Sequence, residues 1–95
     1  MPAAVISRVR GLNVMIGRYR TVPMDGMYVT FPFDNAVRGA LRQEFARAHF
    51  DTRMSRWVIP GVEYDHIVRF FSERGYVVID GRQVVSQPVT SGEKR

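Results

Sequence analysis

Arginine is the one chemically active side chain that this sequence supplies in quantity. Of its 14 basic residues 13 are Arg, and 9 acidic residues leave a net charge of +5 and a pI of about 10.4. A guanidinium presents a planar fork of donors that matches phosphate, so the balance favours acidic partners, above all nucleic acid. Arg18, Arg20, Arg38, Arg42, Arg47, Arg53 and Arg56 all precede residue 60. Several of them can therefore share one side of a sheet and its first helix, each adding a salt-dependent phosphate contact. Tyr19, Tyr28 and Trp57 lie among them, and aromatic rings on a sheet face can stack on unpaired bases. A lone Trp in a small domain more commonly belongs to the core, and Trp57 is expected there.

The other chemistries lack material. The sequence has no Cys and only two histidines, His49 and His66, neither in a spaced metal-ligand set. Glu63 and His66 are the one helical pair that could approach each other. Ser7, Ser55, Ser72, Ser86 and Ser91 lack the Gly-flanked elbow that activates a nucleophile. Gly11 and Gly17 are separated by apolar residues and form no phosphate-cradling loop. The expectation is a non-enzyme without metal or cofactor.

At 95 residues the chain is long enough for one hydrophobic core and too short for two. No stretch approaches the ~20 apolar residues that span a bilayer, and Met1 to Ile6 is too short for a signal peptide. These features suggest a cytoplasmic protein without a membrane partner. The expected class is α+β: a single small domain over 1–86, a β-hairpin followed by β-α-β-α-β, with two helices on a mainly antiparallel sheet. Residues 87–95, rich in polar and charged groups, are expected to form a disordered basic tail.

The elements that must position the arginines follow from periodicity. Val5 to Arg10 and Val14 to Arg20 are β-rich runs around Gly11-Leu12-Asn13, which predicts a hairpin there. The second run shares a parity with Arg18 and Arg20, which places both guanidiniums in water. Thr21 to Gly26, with Pro23 and Asp25-Gly26, carries a turn signal. Met27, Val29, Phe31 and Phe33 alternate with Tyr28, Thr30 and Pro32, the pattern of a strand with one core face. Tyr28 lies on the opposite face, open to a covering helix or to a ligand.

Asp34 can cap a helix over about Asn35 to His49, in which Val37, Leu41, Phe45 and Ala48 form a buried stripe. Arg38, Arg42 and His49 then border that stripe in a row, and two arginines one turn apart without an intervening acid repel each other. A polyanion would relieve the repulsion. Phe50 to Ser55 reads as a polar connection, and Arg56 to Ile59 as a strand. A second helix over Val62 to Arg74 carries Tyr64, Ile67, Val68 and Phe71 on its inner face, with Gly75 as a C-terminal cap. Asp65, Arg69 and Glu73 alternate in sign on its outer face, so Arg69 is expected to be paired. Asp80-Gly81 between Val77-Val78-Ile79 and Val84-Val85 predicts a closing hairpin.

One stretch resembles a known family. Phe31-Pro32-Phe33-Asp34, a helix carrying Leu41, Ala48-His49-Phe50-Asp51, Trp57-Val58-Ile59-Pro60, and Tyr64 and Ile67 resemble the HARP-type module of annealing helicases and related small modules beside phage, plasmid and archaeal helicases and primases. The likeness spans about residues 29–70. His49 stands where that family usually has Arg, and Ser55 where it often has Lys or Arg, with Arg53 and Arg56 flanking the position. The resemblance implies a small α/β domain that recognises single-stranded or forked DNA for an enzyme elsewhere, a helicase or a replication or repair protein.

The expected interface comprises Arg18, Arg20, Tyr28, Arg38, Arg42, His49, Arg53 and Arg56, with DNA favoured over RNA. The opposing class is a protein-interaction or inhibitor module from a phage or other mobile element, which would use exposed apolar groups. No residue pattern fixes an oligomeric state.

Overall fold

Alternation along a strand decides which face is buried, and the run from Met27 shows it: Met27 and Val29 are buried while Thr30 is exposed. A computed structural model of the chain describes residues 1–88. Its elements are β1 (Ala3–Ile16), β2 (Arg20–Thr30), α1 (Asn35–Glu44), β3 (His49–Asp51), β4 (Arg56–Pro60), α2 (Tyr64–Ser72), β5 (Val77–Asp80) and β6 (Gln83–Ser86). The six strands form one sheet in the order β3-β4-β2-β1-β5-β6, antiparallel except for the parallel β1-β5 pair. This is the expected α+β class, two helices on a mainly antiparallel sheet that begins with a hairpin.

Register places both helices on the same side. Ala4 opposes Val78, Ile6 opposes Val29, and Trp57 and Ile59 oppose Val29 and Met27. All of these are buried in one cluster with Val37 and Leu41 of α1 and Ile67, Phe70 and Phe71 of α2. Phe31, Phe71 and Tyr76 pack ring against ring at 5.1 to 6.2 Å within it. Among the described residues no helix covers the other face, which carries Val5, Tyr28, Thr30, His49 and Val77.

Several boundaries differ from expectation, each for a physical reason. Gly11 does not turn the chain. It has φ +71 at a bulge between Val9 and Leu12 inside a continuous β1, and its N–H donates to the Asp25 carboxylate at 3.2 Å. The turn lies at 17–19, where Gly17 takes φ +72, and residues 21–26 belong to β2. Gly26 is a strand residue because β4 passes so close that a Cβ would meet the Ile59 carbonyl oxygen at 2.4 Å.

Asp34 caps α1 as expected, accepting from the Val37 N–H at 3.1 Å. The helix, however, stops at Glu44, and Phe45 leaves it with extended backbone. His49 to Asp51 therefore form β3, paired with Val58 to Arg56, instead of ending a helix and starting a loop. Phe33 lies beyond the end of β2 and is 72% exposed, not core. The Gly75 cap (φ +89) and the Asp80-Gly81 hairpin stand as expected. From residue 89 on, the expected tail lies outside the described residues.

Candidate nucleic-acid interface

Two arginines on α1 meet a group of rings. The helix carries Arg38 and Arg42 one turn apart, on the side that faces the β3-β4 edge. The Arg38 guanidinium lies 4.9 Å from the Phe33 ring centre, 5.7 Å from Phe50 and 5.4 Å from Trp57, while Arg42 lies 5.2 Å from Trp57. Trp57 itself is core, as expected, and takes Phe50 edge-on at 5.5 Å. The electron-rich ring faces offset the repulsion between the two cations. Among the described residues neither Arg38 nor Arg42 has a carboxylate within 4.0 Å. Their N–H groups thus remain available to a phosphate beside two exposed rings, Phe33 and Phe50.

A second group sits on the helix-free face. The Arg56 guanidinium stacks on the Tyr28 ring at 3.5 Å, and its Nε lies 3.7 Å from the Asp51 carboxylate. That Nε is buried and makes no hydrogen bond among the described residues. Beside this stack a cleft of about 410 Å³ is lined by Leu12, Tyr28, His49, Asp51, Arg53 and Val58. The exposed His49 ring donates from Nδ1 to the Arg47 carbonyl at 3.2 Å, and the Arg53 backbone N–H donates to Asp51 at 3.1 Å. The Arg53 side chain is exposed and has no ion-pair partner among the described residues. One face of Tyr28 is already occupied by Arg56, so that face is closed to a base entering this cleft.

Arg18 and Arg20 belong to neither group. Both are exposed at the end of the β1-β2 ribbon, and β2 pairs with β4 only from Gly26 onward, six residues past Arg20 and about 20 Å along the strand. The expected row of Arg38, Arg42 and His49 is also corrected: His49 sits on β3 and faces the opposite side of the sheet from Phe50. The one helical pair that could approach does not meet, and the expected pairing of Arg69 fails. His66 donates from Nε2 to Glu44 at 2.7 Å rather than engaging Glu63, and Arg69 has neither Asp65 nor Glu73 within ion-pair distance. Among the described residues no three His, Asp or Glu side chains cluster as metal ligands would.

Phe33 and Phe50 are site residues that sequence reasoning missed. Phe33 had a signal: Pro32 cannot donate to a ladder, so the strand had to end before the alternation did. Phe50 had no signal in the periodicity, although it stands in the Ala48-His49-Phe50-Asp51 stretch singled out above; only its pairing with Trp57 on β4 reveals that the two rings touch. Comparison with protein-family models, with curated proteins and with solved structures finds no match to this chain.

Proposed function

We propose that this chain is a non-catalytic module that binds single-stranded or forked DNA, in the service of a helicase or another DNA-processing protein. One observation carries the proposal: Arg38 and Arg42 lack carboxylate partners among the described residues, and Arg38 stands over exposed Phe33 and half-exposed Phe50 while Arg42 stands over the edge of the core at Trp57. Single-strand binding needs cations that track phosphates and rings on which bases stack, and this edge offers both. The resemblance of residues 29–70 to HARP-type modules points the same way. On this reading Arg53 and His49 extend the basic track around the end of β3, and Arg56 holds Tyr28 in place.

A protein-interaction role is the second reading, favoured by Val84 and Val85, which are exposed on the outermost strand β6. An edge strand with apolar side chains can accept a partner's strand along its open side.

Fluorescence anisotropy with labelled single-stranded, duplex and forked DNA separates the two. If four phosphates are neutralised, single-strand affinity falls about 50-fold between roughly 50 and 200 mM salt. The double variant Arg38→Glu, Arg42→Glu is expected to abolish binding and keep the wild-type circular dichroism spectrum. Retained affinity in that variant would remove the α1 edge as the site, and no binding by the wild type at low salt would leave the protein-interaction reading.

A further inference from the structure

The β1-β2 ribbon outruns what the fold requires. β5 pairs with β1 only over Ala3 to Ile6, and β4 with β2 only over Gly26 to Val29, so the ribbon continues as two strands beyond both. The molecule measures 54 Å along its long axis against 26 and 24 Å across, and the 14-residue β1 is the one element long enough to set that length. A two-stranded ribbon is marginal by itself. This one nevertheless ends in a ring that is 90% exposed, Tyr19, with Met15 at 65% and Ile16 at 40% just behind it. From Arg10 to Met24 it carries Arg10, Arg18 and Arg20 and no acidic residue.

That chemistry selects a ligand. Three cations without an acid suit a polyanion. Met15 and Ile16, the exposed apolar side chains near the tip, offer no donors or acceptors with which to read base edges in a groove, and Thr21 opposite Met15 adds a single hydroxyl. An aromatic tip backed by apolar side chains instead matches the exposed face of a terminal base pair, as apolar wedges do between base steps. We propose that the ribbon tip binds the junction between duplex and single strand, with Tyr19 stacked on the last base pair and Arg18 and Arg20 on the phosphates to either side. This rests on the DNA-binding reading above and assigns the two ends of a fork: the single strand goes to the α1 edge, the duplex end to the ribbon.

The test uses the full chain with Tyr19→Ser, which alters a side chain in solvent, against forked and single-stranded DNA of matched length. Loss of one stacked base is expected to lower fork affinity about tenfold and to change single-strand affinity by less than about twofold. A 2-aminopurine placed in the junction base pair is expected to change fluorescence on binding wild type and not on binding Tyr19→Ser. Equal loss on both DNAs, or no loss on the fork, overturns the assignment of the tip and leaves the α1 site standing. No binding of any DNA by the wild type overturns both.

Discussion

Gly26 illustrates how one residue type serves two physical ends. Next to Asp25 it reads as half of a turn, yet here it is the point at which two strands come closest. A Cβ would stand 2.4 Å from the Ile59 oxygen and 2.7 Å from the Pro60 Cα, both backbone atoms that cannot rotate away. Gly26→Ala is therefore expected to force β2 from β4, at about 1–3 kcal/mol for overpacking. In a domain of this size that lowers Tm by roughly 4–8 °C per kcal/mol, measurable by scanning fluorimetry. Gly11→Ala meets nothing within 4 Å, and only its φ of +71 opposes the substitution, so its cost is the smaller of the two. Residue identity marks both glycines as special. It does not say whether the reason is a positive φ or a neighbour's backbone, since the neighbour is 33 residues away in the case of Ile59.

At the scale of elements, a boundary was legible where a local signal marks it. The start of α1 is local: Asp34 accepts from the Val37 N–H within its own first turn. Asp34→Ala is expected to cost about 1 kcal/mol, read as a lower urea midpoint, while Asp34→Asn keeps most of the cap. An equal loss in both variants would show that the negative charge matters more than the hydrogen bond. The end of α1 is not local, because Phe45 and Ala48 continue the helical spacing and no Gly or Pro stops it. What stops it is α2 and β4. Phe45 leaves the helix to pack against His66 at 4.7 Å and Phe70 at 5.4 Å, and His49 to Asp51 gain a strand partner in Val58 to Arg56. By contrast α2 ends on Gly75 at φ +89, a signal that sits in the sequence itself.

Helix α2 packs against β5 and β6 at one side of the sheet, and two tyrosines at that seam give the molecule's stability an alkaline limit. The Tyr64 hydroxyl donates to Asp80 of β5 at 2.8 Å, with Arg8 of β1 over its ring at 4.1 Å. Burial first, and then Asp80, raise the Tyr64 pKa above its ordinary 10.0, and burial followed by Asp34 does the same for Tyr76. In both, the folded state holds the phenol proton more tightly than the unfolded chain. The stabilisation is complete below pH 10 and is lost as pH rises through the raised folded values. Urea midpoints are expected to stay level from about pH 7 to 9 and to fall above about 10. If the fall persists unchanged in Tyr64→Phe with Tyr76→Phe, the phenols are not its cause. Composition and periodicity by themselves determined that this chain is a basic α+β domain, that Met27, Val29, Leu41, Ile67 and Phe71 face its core, and where α1 begins and α2 ends, because charge, alternation and capping act within a few residues. Only the tertiary structure decided that β1 runs through Gly11, that His49 to Asp51 are a strand, that Phe33 and Phe50 flank Arg38, and that Arg18 and Arg20 stand apart on a ribbon tip. Each of those depends on a partner strand or helix distant in sequence, whose approach no local pattern encodes.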